Sequence, residues 1–564
     1  MGSRSVQSRK QRPGVPYISI TRSAAIASAE RMGELVCPVG TGIKDCKSAT
    51  LVLKLLLKTP MKLIKHCLLG LLAVTSMCGG AQWFVAPNAT TGGNGSKPQP
   101  WQLQVALTNG SVIAGDTLWL RDGTYFPTMT NETRFPGEPL WFVSITGTSN
   151  NLITLRSYSN EWAKIDRPWA FGEFSGINLR FRDLEFYDSL KGNHPTNYSY
   201  GGYYTNGPWT QFNSKNSSGT GNEWINCVVH DVDNCWGYEK SIRGCIIWHV
   251  GLNGYEHVNY PVGSEFIGNI SAWHMAEVIN FTIASGSVIS SNIMFGAGRT
   301  LGGTWNGDVA ATSQYSVLFN YSYNLYPSSV SEQSFTFISA LGTSNVIANN
   351  VSVSQTPVVI GDTNYASLIF TNNILVANSA SAVMTFLNNT NSYKTVDYNS
   401  YFSRSNTLAY CDYTASYTFS QWKATTGFDT HSTGANASVP SDSVYVIPNQ
   451  DQPKRAHIAV YNWSHSDNVI VNLSGVLNGG DTYQLYSAQD YGRGAIQTDS
   501  FGGTTISVPM TNLTTAPVLY GTSWGLTNPS AISPEFGAFV VIGSSTNAAH
   551  WPPAPPSDLH TIPR

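Results

Sequence analysis

A short pattern recurs along the middle of the chain: two apolar residues, two polar residues ending in Asn, and a further apolar run. It occurs in EFIGNISAW from Glu265, SVISSNIMF from Ser287, NVIANNVSV from Asn345 and LIFTNNILV from Leu368. The segment SVLFNYSYN from Ser316 fits between them with a shifted Asn, so one repeat averages about 26 residues. A repeat of this length made of strands and turns predicts a parallel β-helix, in which each coil stacks on the previous one.

The recurring asparagines have a physical role in such a fold. Asn269, Asn292, Asn350 and Asn373 would lie at one corner of successive coils, where their amides can hydrogen-bond the backbone of neighbouring coils. Asn also tolerates the left-handed backbone of tight bends. From Arg180 to about Phe402 there is almost no helical periodicity, in agreement with this interpretation. A β-sandwich with a chance Asn pattern is the alternative.

A different pattern begins at Cys411. The segment Tyr417 to Thr433 predicts a short helix around Trp422 that ends at Gly427. Six alternating apolar segments follow, separated by Gly, Asp and Pro turns, and they predict an antiparallel sandwich: SDSVYVIPNQ, AHIAVYNW, NVIVNLSGVL, DTYQLYSAQD, TISVPM and FGAFVVIG.

The beginning of the chain carries a different signal. Met61 to Ala81 has basic residues at its start, an apolar run from Leu68 to Val74 and a small-residue end, which is the plan of a secretory signal peptide. It is too short to remain as a membrane span. We expect export to the extracellular space or periplasm, cleavage after Ala81 and translation from Met61; a lipoprotein anchor on Cys78 is the alternative.

These patterns divide the chain into six segments. They are a non-native or disordered extension (1–60), the signal peptide (61–81), the right-handed parallel β-helix (82–410), a linker with a short helix (411–439), the antiparallel β-sandwich (440–543) and a disordered Pro-rich tail (544–564).

Composition limits the class of partner. Only 12% of residues are charged and the net charge is -2, which argues against nucleic acid because that partner requires a dense Lys/Arg surface. Abundant Asn, Ser, Thr and Gly with 12% aromatic residues suit carbohydrate instead. We therefore expect a polysaccharide partner, no membrane span and a monomer.

Two segments carry a resemblance to a known family. Trp83 to Leu107, followed by IAGDTLWLRDGTY from Ile113, resembles the leading coil of secreted pectate-lyase-like right-handed parallel β-helix proteins. The tail from Thr418 to Gly492 resembles the small C-terminal β domain of secreted members.

The resemblance implies a short helix over the open end of the barrel, placing Trp101, Val105 and Leu107 near the core, and a Gly-Asp turn. It also implies a substrate face formed by the first strand and the loops after the third strand. Since this fold hosts lyases, hydrolases, epimerases and non-enzymatic spikes, it implies no single reaction.

Counting along the coils predicts which residues are neighbours. Aligning Asn226, Gly244 and Asn269 puts Cys227, Cys245 and Ile270 in one column inside the core. Adjacent coils lie ~4.8 Å apart, a spacing that permits a disulfide, although two packed thiols are the simpler expectation.

The same count places Asp231, His249 and His274 in a second column, at the point where each coil leaves the core. The next coil has Ala297 at this position. Such a column predicts either a carboxylate that orients an imidazole for acid/base chemistry or a set of divalent-metal ligands. A polar turn stack without chemistry is the alternative.

A third column would contain carboxylates. The segments EHVNYPV and EVINFTI align Glu256 with Glu277, Asn259 with Asn280 and Tyr260 with Phe281. Stacked carboxylates repel, so one of the pair should have a raised pKa, which suits a proton donor. The catalytic candidates are therefore Asp231, His249, His274, Glu256 and Glu277, and the candidates for substrate binding are Lys240, Arg243, His257, Trp248 and Trp273.

These residues do not decide between hydrolysis and elimination. Glycoside hydrolysis requires two carboxylates, whereas a polysaccharide lyase requires a base and a cation or Arg to hold the enolate. The sequence has neither the calcium-binding Asp clusters and Arg signature of pectate lyases nor the Asp-Asp pair and Gly-His-Gly segment of polygalacturonase-like proteins. We expect a secreted carbohydrate-active protein that cleaves a polysaccharide by hydrolysis or elimination. The alternative is a non-catalytic polysaccharide-binding or adhesin-like surface protein. No cofactor is expected, a divalent cation such as calcium being the one candidate.

Overall fold

The structure is a computed structural model. It describes residues 80–131, 135–159, 161–166, 177–187, 211–213, 221–232, 234–237, 239–250, 256–257, 263–274, 277–281, 286–296, 299–303, 314–324, 333–337, 344–360, 368–378, 382–386, 394–404, 409–411, 415–516, 532 and 534–544. The predicted extension, most of the predicted signal peptide and the predicted tail from 545 lie outside these residues.

Two long parallel sheets form the body of the described chain, and strands are numbered β1 to β43 along it. The first sheet has 12 described strands: β1 (Gln82–Val85), β2 (Thr117–Leu120), β6 (Ile153–Ser157), β8 (Leu179–Arg182), β11 (Glu223–Ile225), β14 (Ser241–Arg243), β17 (Glu265–Ile267), β20 (Ser287–Ser290), β23 (Gln314–Leu318), β26 (Ser344–Ala348), β29 (Leu368–Thr371) and β32 (Lys394–Asp397). The second sheet also has 12: β3 (Gly123–Tyr125), β7 (Ala163–Asp166), β9 (Glu185–Tyr187), β12 (Val228–Val232), β15 (Ile246–Val250), β18 (Ile270–Ala272), β21 (Ile293–Phe295), β24 (Tyr321–Tyr323), β27 (Val351–Ser354), β30 (Ile374–Ala377), β33 (Ser400–Ser403) and β36 (Thr433–Ala435).

A third, shorter sheet follows the second in each later coil. Its eight described strands are β16 (Glu256–His257), β19 (Glu277–Phe281), β22 (Arg299–Gly303), β25 (Gln333–Phe337), β28 (Thr356–Ile360), β31 (Ala382–Phe386), β34 (Ala409–Cys411) and β35 (Ser416–Tyr417), of which only β35 is antiparallel to its neighbour. Two described pairs stand apart from the three sheets: β4 (Met129–Asn131) with β5 (Phe135–Leu140), and β10 (Gln211–Asn213) with β13 (Asn234–Gly237). The parallel β-helix implied by the repeat is confirmed.

The interior of the β-helix is filled by one apolar column from each sheet. Phe181, Phe266 and Phe370 of the first sheet lie in the same buried core as Ile247 of the second and Met384 of the third. Because side chains alternate between the two faces of a strand, every second residue of each strand contributes to this core.

The Asn ladder is confirmed, and it is longer than predicted. Its members are Asn269, Asn292, Asn320, Asn350, Asn373 and Asn399, each at most 1% exposed. Each side-chain oxygen from Asn292 onward accepts the backbone N–H and the amide of the preceding Asn, at 2.9 to 3.2 Å. Each amide also donates to a carbonyl of the preceding coil. The left-handed residue is the one before each Asn, as at Ser291 (φ 60°) and Phe319 (φ 55°).

The predicted register is wrong by one residue at the beginning of this ladder. Ile246 pairs with Ile270 and Val228 with Ile246, so the neighbour of Asn269 is Cys245, not Gly244. The Cys245 N–H donates to the Asn269 side chain at 2.8 Å. Gly244 occupies the left-handed position before the ladder (φ 63°), which the count mistook for a ladder position. Cys227 and Cys245 are fully buried free thiols.

Short helices lie at both ends of the β-helix. Helix α1 (Leu103–Thr108) buries Leu103 and Leu107, whereas Val105 is 44% exposed, so its predicted place over the core is wrong. The predicted Gly-Asp turn is present: the Asp116 carboxylate accepts the N–H groups of Ala81 and Ile113 and the Trp83 indole.

Helix α2 (Phe419–Thr426) confirms the predicted helix around Trp422. Thr418 and Gln421 form a capping box, and Gly427 ends the helix in the left-handed conformation (φ 72°). The Trp422 indole donates to the Asp429 carboxylate, which also accepts from Asn399 at the end of the ladder. Strand β36 follows α2 and pairs with β33, so the second sheet continues into the segment predicted as a linker.

The C-terminal domain is antiparallel, as predicted. Its five-stranded sheet has the order β37 (Ser443–Pro448), β38 (Arg455–Tyr461), β43 (Phe536–Ser544), β40 (Thr482–Ser487) and β41 (Ala495–Ser500), and a two-stranded sheet pairs β39 (Asn468–Asn472) with β42 (Thr505–Pro509). One face of the larger sheet packs on the smaller one, through residues such as Ile458 and Val471. The other face packs on the outer surface of the second sheet, where Tyr323 stacks on Phe536 at 4.8 Å.

Candidate functional site

The candidate site lies at the corner where each coil leaves the second sheet. His230 pairs with Trp248 and Trp248 with Ala272, so Asp231, His249 and Trp273 occupy equivalent positions in successive coils. Continuing this register adds Gly296, Asn324 and Ser354. We call these six residues the corner column.

This register corrects two predictions. His274 is one residue beyond the column, and its predicted place above His249 is taken by Trp273. Trp248 pairs with Ala272, so Trp248 and Trp273 belong to different columns. Gly296, not Ala297, is the equivalent residue of the next coil. Both errors follow from the one-residue shift at Asn269.

The backbone of the corner column is strained in three coils. Asp231, His249 and Trp273 have φ of 53°, 51° and 58°, where an L-residue pays roughly 1–2 kcal/mol. The next coil has Gly296 (φ 65°) because the Trp273 indole covers it: a Cβ there would lie 2.1 Å from the indole ring. Non-glycine residues held in this conformation cluster at functional sites.

A buried ion network surrounds the first member of the column. His230 lies between two carboxylates, with Nδ1 2.7 Å from Asp231 Oδ2 and Nε2 3.3 Å from Glu185 Oε1. The Trp162 indole donates to Glu185. All three ionisable side chains are at most 3% exposed.

Aromatic rings cover both faces of the His230 imidazole. Tyr187 stacks on one face at 5.4 Å and Trp248 on the other at 4.5 Å between ring centroids. Trp248 also contacts Tyr491 of the C-terminal domain. The imidazole is therefore fixed in orientation by packing as well as by hydrogen bonds.

His230 and Glu185 are not among the site residues predicted from the sequence. The signal was present, because LEFYD, residues 184 to 188, is a further copy of the repeat that precedes CVVHD. Val228 pairs with Glu185 and His230 with Tyr187. Extending the repeat one coil towards the N-terminus would have placed the second carboxylate beside His230.

The pKa values follow from burial and pairing. Burial alone would lower the pKa of His230, but hydrogen bonds to Asp231 and Glu185 raise it to about 9. Burial opposes ionisation of Asp231, yet His230 and His249 hold its pKa at about 2. The pKa of Glu185 is also lowered against burial, chiefly by the hydrogen bond from His230. One imidazolium between two carboxylates is the resulting charge state at neutral pH.

Polar atoms without partners follow the corner column. Among the described residues, no hydrogen bond reaches Asp231 Oδ1, either ring nitrogen of His249, the Trp273 indole N–H, the Asn324 side chain or Ser354 Oγ. His249 Nδ1 lies 3.4 Å from Asp231 Oδ1 but without hydrogen-bond geometry. Each buried, unsatisfied polar group costs about 1–3 kcal/mol. These atoms lie along one line, in five of the six coils of the corner column.

His274 lies beside the column and has a different environment. Its Nε2 is 2.8 Å from Ser271 Oγ, and the ring is 2% exposed. Burial, with a further contribution from His249, lowers the pKa of His274 to about 3, so the ring is neutral at physiological pH.

The two predicted catalytic glutamates belong to the third sheet, in a register that differs from the predicted one. Glu256 pairs with Asn280, and Glu277 pairs with Arg299. The predicted alignment of Glu256 with Glu277 is therefore wrong by three positions. Trp248 pairs with Ala272 and Glu256 with Asn280, so the two loops leading into the third sheet have the same length, and matching Glu to Glu shifted the segments. The side chains of Glu256, His257 and Glu277 lie outside the described structure.

The remaining predicted residues are dispersed. Lys240 is exposed, while Arg243 is bound to Asp451 of the C-terminal domain by two hydrogen bonds of 3.0 and 3.1 Å. Trp248 and Trp273 are 5% and 4% exposed, in the apolar contact between the second sheet and the C-terminal domain. Sugar contact by these two rings stays a prediction.

Two features are absent from the described residues. No group of three or more His, Cys, Asp or Glu there has the geometry to hold a metal ion. Within the same residues, no helix has the length and apolar character needed to cross a bilayer.

Comparison with known proteins gives only distant likenesses. No protein-family model matches the chain, and no curated protein matches it. Among solved structures, the complex of XylC with xylose has a TM-score of 0.43 at 10% identity, over 70% of this chain and 92% of that one. The GH136 lacto-N-biosidase from Eubacterium ramulus has a TM-score of 0.41 at 11% identity, over 66% and 69%. Pectate lyase Pel9A has a TM-score of 0.32 at 14% identity, over 60% and 78%. At these scores the likenesses carry no argument about function.

Proposed function

We propose that this chain is an exported, carbohydrate-active β-helix protein that cleaves a polysaccharide at the corner column. The observation that carries the proposal is the line of buried, unsatisfied polar atoms on Asp231, His249 and Trp273, backed by an ion network. Buried groups with strongly shifted pKa values in strained backbone are typical of acid/base sites. The sparse charge and abundant amide and hydroxyl groups of the chain favour a carbohydrate ligand.

The roles of the residues follow from their contacts. We assign proton transfer to His249, because neither of its ring nitrogens is hydrogen-bonded among the described residues and the Asp231 carboxylate, 3.4 Å from Nδ1, would stabilise the imidazolium electrostatically. His230 and Glu185 hold Asp231 in place and are positioning residues. In elimination, the imidazole would remove the proton α to a uronate carboxylate, the C4–O bond would break, and the leaving oxygen would take up a proton. In hydrolysis, it would take a proton from water that attacks the anomeric carbon, the glycosidic C–O bond would break, and the leaving oxygen would take up a proton.

Export is part of the proposal. Strand β1 begins at Gln82, the residue after the predicted cleavage site, so the folded domain would start directly at the mature N-terminus. Sequencing of the N-terminus of the protein recovered from culture medium or periplasm tests this: Gln82 is expected, and a start within the signal segment would contradict it.

Activity is tested on the full chain with plant, algal and bacterial polysaccharides, following unsaturated-uronate absorbance and new reducing ends in parallel. Absorbance together with reducing ends indicates a lyase, and reducing ends alone a hydrolase. We expect His249→Gln and Asp231→Asn to lower the rate at least 100-fold. His465→Gln, at a histidine that is 56% exposed outside the site, is the matched control and should retain full activity.

A non-catalytic polysaccharide-binding protein is the second candidate. It is favoured by one observation: Asp231 and His249 are each only 2% exposed. In that case the panel yields no product with any substrate, while the full chain still binds a polysaccharide in affinity electrophoresis. Product formation that is unaffected by His249→Gln would place the chemistry elsewhere on the molecule.

A further inference from the structure

A cavity lies between the β-helix and the C-terminal domain, away from the corner column. It has a volume of about 290 Å³. One wall is the corner of the β-helix that precedes the Asn ladder, with Gly268, Ser291 and Phe319. The other wall is strand β37 and the turn after it, from Val446 to Asp451, with His457 of β38. This size suits a ligand of one or two rings, since drug-sized ligands occupy ~300–1,000 Å³.

The cavity contains a buried polar group without a partner. His457 is 1% exposed, and neither ring nitrogen has a hydrogen bond among the described residues, although the Gly268 carbonyl faces the ring. Burial lowers the pKa of His457 to about 3, with a contribution from Arg455, so the ring is neutral. A neutral imidazole has one donor and one acceptor, and with the Gly268 carbonyl beside the donor, the acceptor nitrogen is the one that a ligand hydroxyl can use.

The charged groups of the cavity are already paired. Arg243 Nε and Nη2 bind both carboxylate oxygens of Asp451, and the Asp451 N–H donates to Asn449. An internally satisfied ion pair gives the cavity polar edges without a net charge. A charged ligand would have no unpaired counter-charge there. Hydroxyl groups, by contrast, can donate hydrogen bonds to the remaining lone pairs of the Asp451 carboxylate.

An aromatic wall completes the cavity. Phe319 is 46% exposed, which is unusual for a phenylalanine in a chain that buries most of its large apolar side chains. Tyr321 lies beside it and is held by stacking on Tyr445 at 4.3 Å. An exposed ring beside hydrogen-bonding groups matches the two faces of a pyranose, whose C–H face is apolar and whose edge carries hydroxyls.

We propose that this interdomain cavity is a subsite for an uncharged sugar residue, which packs on Phe319 and hydrogen-bonds the His457 imidazole. The inference rests on the proposed function for the class of ligand, and it adds a role for the C-terminal domain. The domain supplies half of the subsite and so holds one end or branch of the glycan while the corner column acts on another part.

Binding of neutral sugars to the full chain tests the inference. Saturation-transfer NMR with glucose, galactose, mannose, xylose and their β-linked disaccharides is expected to detect at least one ligand. Phe319→Ala should weaken it at least tenfold, and Gln450→Ala, at a further lining residue, by a smaller factor. Phe126→Ala is the matched control, because Phe126 is 52% exposed outside the cavity.

The outcomes separate this inference from the proposed function. If a neutral sugar binds and Phe319→Ala weakens it, the subsite stands even when no polysaccharide is cleaved. If cleavage depends on His249 but no neutral sugar binds, or binding is equal in Phe319→Ala and Phe126→Ala, the subsite is overturned and the function is kept. Thermal shift of Phe319→Ala equal to the wild type shows that any loss of binding is not due to unfolding.

Discussion

Two corners of the β-helix border the second sheet, and both bury polar residues next to left-handed backbone. At the first corner, every Asn of the ladder donates and accepts hydrogen bonds between coils. At the second corner, the polar atoms of Asp231, His249, Trp273, Asn324 and Ser354 lack such partners among the described residues. Burial of polar groups therefore does not distinguish a structural corner from a functional one. The distinguishing property is whether the hydrogen bonds are satisfied within the protein.

The largest expected effect separates two histidines of the second corner. His230→Leu leaves Asp231 and Glu185 as buried, unpaired carboxylates, and we expect a loss of about 3–5 kcal/mol in the free energy of unfolding. His249→Leu removes a ring that makes no hydrogen bond to any described residue, and it should change stability by less than about 1 kcal/mol while abolishing activity. Urea denaturation of both variants measures the difference; equal losses would remove the distinction between a positioning and a reactive histidine.

A second comparison concerns Asn320 and Asn324, which flank strand β24. Asn320 and Asn324 are both fully buried, but Asn320 bonds to both neighbouring coils, whereas the Asn324 side chain has no partner within the described part of the chain. Asn320→Ala should lower the free energy of unfolding by about 2–4 kcal/mol because it leaves the groups of Asn292 unsatisfied.

Asn324→Ala is the matched control for that experiment. Removing a side chain that is already unsatisfied should be neutral or slightly stabilising. The comparison fails if the two alanine variants have the same urea midpoint, because ladder bonding would then contribute nothing.

The last comparison of the two corners is by pH. Asparagines do not titrate, so the ladder should contribute no pH dependence of stability, whereas the second corner and His457 should contribute one. The pKa of His230 is raised to about 9, so its contribution is complete below its unfolded value of about 6.5 and is lost as the pH rises through 9, up to about 3 kcal/mol. Thermal unfolding from pH 6 to 10 should show this fall in the wild type and a smaller one in His230→Leu.

Below about pH 6.5, stability is expected to fall as the pH decreases. The pKa values of His274 and His457 are lowered to about 3, so the unfolded chain binds more protons below about pH 6.5 and stability falls from there towards pH 3. Loss of the Asp231 contribution follows below about pH 4 as that carboxylate is protonated. Unfolding midpoints that stay constant between pH 6.5 and 4 would contradict the buried, neutral state of both histidines.

The sequence was sufficient for the fold because its signal is repeated in every coil. The Asn pattern, the helix around Trp422 and the alternating C-terminal segments each predicted an element that the structure contains. The site was harder to predict, because one residue of register decides which side chains are neighbours. Gly244 and Asn226 occupy the left-handed position before the ladder, and counting from them displaced His274 into the place of Trp273.

Other features depend on contacts that a count by columns does not detect. The contact of His230 with Asp231 joins adjacent residues across a bend. The engagement of Arg243 by Asp451 depends on how the C-terminal domain packs against the β-helix, over 200 residues away. Such contacts follow from tertiary packing and not from local periodicity.

The Asn ladder has two ends that differ from its middle: Cys245 donates to its first member, and Ser432 and Asp429 bond its last. Every internal member makes the same bonds whatever the length of its coil, which varies between 23 and 30 residues. A duplicated or deleted coil would therefore leave both ends intact and all internal bonds formed. Chain length in this architecture is thus open to change by whole coils during evolution, and the span available to a glycan can grow or shrink without a new fold.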